Sequence, residues 1–163
     1  MIKILSQIDI QPILDSYNQL EKDMKWVQYE HKGKQVGLQY KQGDDPWTGA
    51  VGRGKGNDLE YTELNPFFKN TIFETIITKY NFKRTRLMWV GPYACYSMHK
   101  DTTPRIHIPL ITNPDCYFVF RTGTLINLTK DHVWWVDTTK THTFMNCSKE
   151  HRLHLVGAVD AAN

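Results

Sequence analysis

Cysteine is scarce in this chain of 163 residues, and the three cysteines that it contains form no recognisable pattern. Cys95, Cys116 and Cys147 are odd in number and widely spaced, and none belongs to a CxxC pair. This arrangement excludes a disulfide framework. It is typical of a protein that works in a reducing compartment.

Long apolar runs are also absent. The longest extend over only a few residues, whereas a helix that crosses a bilayer needs roughly 20. The segment from Met1 to Asp9 contains no uninterrupted apolar stretch of the kind that secretory signals have. We therefore expect a cytoplasmic protein that has no membrane partner.

An excess of charge of one sign is missing as well. The chain has 20 Lys and Arg against 17 Asp and Glu, and the basic residues are not gathered into a tail or block. This argues against a nucleic acid as the main partner. Hydrophobic residues make up 40% of the chain and charged residues 23%, as in ordinary globular proteins. A chain of this length is expected to form one domain.

The first half of the chain combines helical patterns with loops. Apolar spacing predicts a helix over residues 10–20 and a second helix over residues 66–80, which Asn65 would cap. An alternating pattern predicts a strand over residues 36–40. Residues 41–57 are rich in Gly, Asp and Lys, and their glycines match neither a P-loop nor a dinucleotide-binding pattern. We expect a surface loop there.

The second half changes to short β-rich segments separated by turn residues. Their close spacing is typical of a sandwich or barrel and not of alternating βαβ units. We therefore expect a mainly β protein with a few flanking helices in its N-terminal half. The segments are residues 84–90, 105–111, 116–120, 123–128, 133–136, 142–145 and 152–156.

Histidine is unevenly distributed, since six of the seven histidines lie at or after His99. In an extended segment, His99 and Asp101 would face the same side. With a distant histidine they would form a two-histidine, one-carboxylate site. Such a site leaves positions open on a non-haem Fe(II) ion for a co-substrate and oxygen. The HxD pattern by itself has low specificity.

A second candidate pair is Arg105 and His107, which share one face of a predicted strand. The opposite face is the apolar row Ile106, Ile108 and Leu110. If that row packs on a neighbouring layer, the pair lines a cavity, and an anionic ligand would supply its counter-charge. The alternative is a strand face in contact with solvent.

A third candidate pair is His142 and Arg152, which are ten residues apart and flank a turn-like segment. A hairpin would place them on adjacent antiparallel strands, with His142 as a third metal ligand and Arg152 as a clamp for a carboxylate. The alternatives are a hydrogen-bonded loop histidine and a surface salt bridge of Arg152 with Glu150 or Asp160.

Zinc is a competing metal. Cys95 with His99 and Cys147 with His151 have the same spacing, and the four residues could form a tetrahedral structural site. This paired spacing is not among the common zinc signatures. The surroundings of Cys147 also lack the signature of a catalytic thiol.

Several segments of the second half, taken together and in order, resemble the aspartyl/asparaginyl β-hydroxylase family of Fe(II)- and 2-oxoglutarate-dependent oxygenases. They cover nearly half of the chain, and together they are far more specific than any single motif. The matching segments are Arg84-Thr85-Arg86-Leu87-Met88, Gly91-Pro92, His99-Lys100-Asp101, Arg105-Ile106-His107-Ile108-Pro109-Leu110, Trp134-Trp135-Val136-Asp137, His142-Thr143-Phe144-Met145-Asn146-Cys147-Ser148 and Arg152-Leu153-His154-Leu155-Val156. One departure is Lys130-Asp131-His132, where the family usually has a glycine turn.

The resemblance implies a double-stranded β-helix, which is the jelly roll of the cupins. It also implies roles for the candidate residues. Arg152 would pair with the distal carboxylate of 2-oxoglutarate, and Arg105 and His107 would lie near the metal-bound end of that molecule. The implied ligands of Fe(II) are His99, Asp101 and His142.

The activity that the resemblance implies is that of a single oxygenase domain, with residues 1–82 as a helical and loop lead-in and residues 83–160 as the metal-binding core. It would couple the decarboxylation of 2-oxoglutarate by O2 to hydroxylation of an Asp or Asn side chain in a peptide or protein, or of a free amino acid. Trp47 and Arg53, on the long loop, are expected to touch this substrate. The alternatives are a non-catalytic cupin that binds a metal or small molecule and a zinc-stabilised interaction domain.

Overall fold

A computed structural model describes residues 2–30, 32–52 and 56–161 of the chain. Strands dominate these residues, and two α-helices lie in the first half: α1 (Gln11–Leu20) and α2 (Ile72–Lys79). The strands are β1 (Ile2–Gln7), β2 (Val27–Gln28), β3 (Gly33–Gly37), β4 (Gln39–Tyr40), β5 (Glu63–Leu64), β6 (Lys83–Val90), β7 (Ala94–Cys95), β8 (Arg105–Ile111), β9 (Cys116–Phe120), β10 (Leu125–Ile126), β11 (His132–Val136), β12 (His142–Asn146) and β13 (Arg152–Ala158).

Two antiparallel sheets form the core of the fold. The larger has the order β1-β11-β8-β13-β6-β3-β2, and the smaller has the order β10-β9-β12-β7. Strands β6, β8, β11 and β13 therefore belong to the larger sheet, and β7, β9, β10 and β12 to the smaller one. The chain passes back and forth between the two sheets as it runs from β6 to β13. This is the topology of a double-stranded β-helix, and it confirms the predicted jelly roll.

Alternation along β8 determines what each face of the larger sheet contacts. Ile106, Ile108 and Leu110 are buried in one apolar cluster with residues of α1 and α2. Arg105 and His107 point the other way, into the space between the sheets. The predicted apolar row is thus confirmed, and burial of each of its side chains contributes about 1.5–3 kcal/mol.

The first predicted helix is confirmed as α1, whereas the second prediction, residues 66–80, is partly wrong. There the chain forms a short 3-10 helix, Pro66–Phe68, before α2 begins at Ile72. Asn65 caps that 3-10 helix as predicted, since its side chain accepts a hydrogen bond from the amide of Phe67. The interruption lies at Asn70, which has a left-handed backbone with φ of 61°. Neither α1 nor α2 has the length and apolar character that a bilayer crossing requires.

The strand predicted over residues 36–40 divides between two sheets. Strand β3 ends at Gly37 in the larger sheet, and β4 pairs with β5 in a separate two-stranded sheet. Strand β1 was not predicted from the sequence; it lies at the edge of the larger sheet and pairs with β11. The turn before β11 has Asp131 at φ of 63°, so an aspartate there adopts the conformation for which glycine is common.

Candidate metal centre and its cavity

A cavity of about 470 Å³ lies between the two sheets of the jelly roll. The inward-facing residues of several strands line it, because alternate side chains on each strand point toward the other sheet. Its polar lining residues include Arg84 and Arg86 of β6, Arg105 and His107 of β8, His142 of β12 and Arg152 of β13.

His99, Asp101 and His142 form a cluster at this cavity. Their nearest ligand atoms all lie within 4.8 Å of one another. Nε2 of His99 is 4.0 Å from Oδ1 of Asp101, and Nε2 of His142 is 3.9 Å from Oδ2 of the same carboxylate. The structure therefore brings together the three residues that the sequence predicts as metal ligands. Two imidazoles and one carboxylate are a donor set compatible with iron.

Backbone hydrogen bonds hold this cluster in place. His99 and His142 exchange two amide-to-carbonyl bonds of 2.9 Å, and the amide of Asp101 donates to the carbonyl of Thr138 at 2.9 Å. The Nδ1 atoms of His99 and His142 are each 2.8 Å from a backbone carbonyl, of Ser97 and Lys140 respectively. Carbonyls at Nδ1 favour the tautomer that leaves Nε2 free to bind a metal.

The ring of His142 is also fixed by packing. It stacks on Phe118, with the ring centroids 4.9 Å apart and an angle of 17° between the planes. Burial lowers the pKa of His142 below its usual value, so the imidazole is neutral at pH 7. Neutral imidazole is the form that binds metals.

Arg105 lies beside the cluster, and its counter-charge comes from within the protein. Its Nη2 is 2.6 Å from Oδ2 of Asp58 and 3.3 Å from Oδ1 of Asp101. Arg105 thus has a counter-charge without any ligand, and binding of an anion beside Arg105 and His107 stays a prediction. Asp58 lies in a 3-10 helix, Asp58–Glu60, on the long connection between β4 and β5.

Asp58 also pairs with Arg84, whose Nη1 is 2.7 Å from Oδ1. Burial acts to raise the pKa of Asp58, but Arg105 and Arg84 outweigh it and hold the pKa below the usual range. Arg84 reaches this position from a left-handed backbone with φ of 49°. Asp58 and Arg84 thus belong to the site, although the sequence assigned no role to either of them.

Arg152 lies on the wall formed by the larger sheet and is almost completely buried. It hydrogen-bonds to Nδ1 of His154 and has its guanidinium carbon 3.4 Å from the centroid of the Phe144 ring. None of the ion pairs in the described residues includes it. Burial lowers its pKa to about 9, which leaves it positively charged at neutral pH. Arg152 is therefore a buried cation without a carboxylate partner in the described chain.

The predicted hairpin between His142 and Arg152 is wrong. Strand β12, which carries His142, pairs with β9 and β7, whereas β13, which carries Arg152, pairs with β6 and β8. The connection between them crosses from the smaller sheet to the larger one. Both residues nevertheless line the same cavity, because the two sheets face each other across it.

His107 offers two buried ring nitrogens that lack a hydrogen-bond partner within residues 2–30, 32–52 and 56–161. Burial lowers the pKa of His107 well below its usual value, so the ring is neutral. A buried polar atom without a partner is rare in folded proteins. The unpartnered nitrogens of His107 and the uncompensated charge of Arg152 fit a polar, anionic ligand.

Arg86 is a further cavity residue with no predicted role. Its Nη1 is 3.2 Å from Oε1 of Gln35 and 3.4 Å from the carbonyl of Gly52, and both of these acceptors are neutral. The alternation of side chains along β6 could have predicted this position. Arg84, Arg86 and Met88 share one face of the strand, and that face lines the cavity.

Of the two predicted substrate residues, the structure describes Trp47 and places it away from the cavity. Trp47 is outside its lining and packs on Phe67 and Phe68, with ring centroids 4.9 Å and 6.0 Å away. Arg53 lies outside the described residues. Lys100, between two of the cluster residues, is exposed at the rim.

The alternative zinc site does not form. Cys95 and Cys147 are exposed, and His151 stacks on Trp89 with ring centroids 5.5 Å apart. Within the described ranges, the cluster of His99, Asp101 and His142 is the one group of three or more candidate ligands. Neither cysteine belongs to it.

A sequence profile of the aspartyl/asparaginyl β-hydroxylase family matches residues 8–161 of the chain. No curated protein sequence matches it. Among solved structures, the oxidoreductase of the 2OG-Fe(II) oxygenase family from Burkholderia pseudomallei is similar to it. The identity is 14% and the TM-score is 0.54, and the match covers 88% of this chain and 75% of that one.

Two other solved structures are also similar. The Rhodobacter sphaeroides complex of SigE with the anti-sigma ChrR has 12% identity and a TM-score of 0.50 over 94% of this chain and 61% of that one. A cupin domain from Bordetella pertussis Tohama I has 15% identity and a TM-score of 0.42 over 47% of this chain and 80% of that one. At such low identities, the likeness to the Burkholderia structure concerns the fold.

Proposed function

The chain belongs to the aspartyl/asparaginyl β-hydroxylase family, and from that premise we propose that it is an Fe(II)- and 2-oxoglutarate-dependent dioxygenase. Its substrate in this proposal is an Asp or Asn side chain in a peptide or protein, or a free amino acid. The observation that carries the proposal is one cavity whose lining contains both the cluster of His99, Asp101 and His142 and Arg152, a buried cation without a carboxylate partner in the described chain.

His99, Asp101 and His142 would hold the metal. Their two imidazoles and one carboxylate suit Fe(II), and the hydrogen bonds at Nδ1 of each histidine keep Nε2 directed into the cluster. When bound, Fe(II) and 2-oxoglutarate supply the oxidation of the substrate by O2. The protein itself contributes orientation, charge and exclusion of water.

Arg152 would bind the distal carboxylate of 2-oxoglutarate. Its guanidinium is buried and has no carboxylate partner in the described chain, so an incoming carboxylate would relieve an uncompensated charge. His154 and Phe144 fix its orientation. His107, with two unpartnered nitrogens, and Arg105 would lie near the metal-bound end of 2-oxoglutarate.

The second candidate function is a non-catalytic cupin that binds a metal or small molecule. It would use the same cluster without turnover. Metal identity and 2-oxoglutarate binding separate the two functions, because a metal-binding cupin without oxygenase activity has no need of the Arg152 site.

The test is anaerobic addition of Fe(II) and then 2-oxoglutarate, followed by the visible charge-transfer absorption of the chelated complex. We expect the band in the wild-type protein and its loss in His99→Ala. The experiment needs no substrate, so it can be done before the substrate is known. Lys100→Ala is the matched control, because Lys100 is exposed at the rim and adjacent in sequence. Far-UV circular dichroism checks that each variant is folded. A folded wild-type protein without the band would contradict the oxygenase proposal and favour the non-catalytic cupin.

A further inference from the structure

The cavity contains more buried positive charge than the protein neutralises. Four of its lining arginines are at most 6% exposed, and Asp58 is the one buried carboxylate in the described lining. Asp101 adds a second negative charge at the metal centre. Glu30, which is partly exposed like Asp101, lines the cavity as well and adds a third negative charge. The balance is four positive charges against three, which leaves +1. The arginines are Arg84, Arg86, Arg105 and Arg152.

Binding of the metal and the co-substrate does not remove this excess. Fe(II) adds two positive charges and 2-oxoglutarate adds two negative charges, so the balance stays positive. Burial of uncompensated charge is costly, and buried ions in proteins are therefore paired. The loaded cavity consequently favours one more anion.

In the loaded cavity, Arg86 is the arginine that has no carboxylate within ion-pair distance, although Asp101 and Asp58 act on it from farther away. Arg84 and Arg105 share the carboxylate of Asp58, with N–O distances of 2.7 Å and 2.6 Å. Arg152 has its partner in the distal carboxylate of 2-oxoglutarate under the proposed function. None of the ion pairs among the described residues includes Arg86.

The guanidinium of Arg86 does not use all of its hydrogen-bond donors within the described chain. Its Nη1 bonds are to the neutral acceptors Gln35 and Gly52, and its buried Nε has no hydrogen-bond partner in the parts of the chain that are described. Burial lowers the pKa of Arg86 to about 9, and the group is still charged at pH 7. A guanidinium of this kind recognises planar oxyanions such as carboxylates.

We infer that Arg86 receives a carboxylate of the substrate, so that the site accepts an acid and discriminates against the corresponding amide. This inference rests on the proposed function, because it takes Arg152 as the partner of 2-oxoglutarate. A neutral amide would leave the charge of Arg86 unpaired, and sites with buried polar groups reject such analogues strongly. Arg86 is then the residue that determines specificity.

The test uses the full chain loaded with Zn(II), which does not turn over, and saturated with 2-oxoglutarate. Three probes are titrated by calorimetry and NMR. L-asparagine has only an α-carboxylate, the α-amide of N-acetyl-L-aspartate has only a side-chain carboxylate, and the α-amide of N-acetyl-L-asparagine has neither. We expect at least one carboxylate probe to bind the wild-type protein at least about tenfold more tightly than the neutral probe.

The variants assign that preference to Arg86. Arg86→Met should abolish it, and Arg86→Lys, which keeps the charge but not the planar fork, should retain part of it. Arg121→Met is the matched control, because Arg121 is an exposed arginine outside the cavity lining, and it should bind like the wild type. Binding of 2-oxoglutarate to the Zn(II) form should change less than threefold in Arg86→Met.

Several outcomes would overturn the inference. They are equal affinity of the wild type for all three probes, no binding of any probe, and an unchanged preference in Arg86→Met. A large loss of 2-oxoglutarate affinity in Arg86→Met, with little loss in Arg152→Met, would instead assign Arg86 to the co-substrate. Failure of the wild-type protein to bind 2-oxoglutarate would contradict the proposed function itself. The inference about Arg86 would then fall with it, because it takes Arg152 as the partner of 2-oxoglutarate.

Discussion

The guanidinium of Arg105 is 2.6 Å from the carboxylate of Asp58, although the two residues are 47 positions apart in the sequence. Asp58 also accepts hydrogen bonds from Arg84 and Thr102. One carboxylate therefore pairs with two buried arginines of the cavity and connects the long loop before β5 to the jelly roll. It holds Arg105 next to Asp101 of the metal-compatible cluster.

Asp58→Asn is expected to destabilise the fold by about 3–5 kcal/mol, because it leaves the buried guanidinium of Arg84 without an ion-pair partner and that of Arg105 with the partly exposed Asp101 as its remaining one. Urea unfolding at pH 7.5 measures this loss. The control is Glu63→Gln, an exposed carboxylate of β5, which should change the free energy of unfolding by no more than about 0.5 kcal/mol. A loss below about 1 kcal/mol for Asp58→Asn would mean that water or another group compensates the arginines.

Arg152→Met is expected to weaken 2-oxoglutarate binding about 100-fold, as loss of one partner of a buried charge pair costs 2–5 kcal/mol or more, or roughly 30-fold and above. Arg152→Lys keeps the charge but loses the planar fork, so a smaller loss is expected. Titration of 2-oxoglutarate into the anaerobic Fe(II) protein, followed by the charge-transfer band, measures both. Equal affinities in the wild type and Arg152→Met would remove Arg152 from the co-substrate site.

Local sequence patterns were sufficient to predict the orientation of side chains that depends on a single strand. Alternation in β8 predicted that Arg105 and His107 share a face opposite Ile106 and Ile108, and the structure has this arrangement. The short segments of the second half likewise predicted the strands of the jelly roll. Local rules are informative here because side-chain direction in a strand has a period of two.

Residues whose role depends on distant partners could not be predicted in this way. Asp58 meets Arg84 and Arg105 over separations of 26 and 47 residues, and no local pattern encodes those distances. The hairpin predicted for His142 and Arg152 failed for a related reason. Their spacing suits a hairpin, but it suits a crossing between two facing sheets equally well. Pairing between strands is decided by packing of the whole sheet.

Acid is expected to destabilise the metal-free protein through its buried histidines. Burial lowers the pKa values of His107 and His154 well below the usual range, so the folded state keeps both neutral. Below the unfolded-state pKa of about 6.5, the unfolded chain binds protons that the folded chain does not, and stability falls as pH falls. Between pH 7.5 and pH 5.5, each histidine should contribute a loss of about 1.3 kcal/mol.

Urea unfolding at the two pH values, in the presence of a chelator, measures this loss. His154→Gln is the informative variant, because an amide oxygen can still accept from Arg152 but does not titrate. It should reduce the difference between the two pH values by about 1.3 kcal/mol. Asp58 does not add to this difference. Burial raises its pKa, but Arg105 and Arg84 lower the pKa by more, so Asp58 stays charged between pH 7.5 and pH 5.5 and its contribution to stability is lost only in stronger acid. Equal stability at pH 7.5 and pH 5.5 would contradict the burial of neutral histidines.

Removal of the metal is expected to leave the β-structure intact. The larger and smaller sheets are held by backbone pairing and by apolar clusters that do not include the metal-compatible residues. Mn(II) should therefore raise the melting temperature by a few degrees through binding to the folded state. His142→Ala should abolish that increase, and a chelator should reverse it without changing the far-UV circular dichroism. Loss of the β spectrum on chelation would indicate a structural metal instead.

Gly157 of β13 is expected to tolerate no side chain. A Cβ there would overlap Cγ of Phe82, which is buried and stacks on Tyr80 with ring centroids 5.6 Å apart. Gly157→Ala should therefore cost about 1–3 kcal/mol of stability, as overpacking does in cores. Replacement of Phe82 by leucine in the same chain would open space for the new methyl group. The double variant should then lose less stability than the sum of the two single variants, as residues in contact are coupled. Additive losses in urea unfolding would show that Gly157→Ala acts through the backbone of β13 and not through its contact with Phe82.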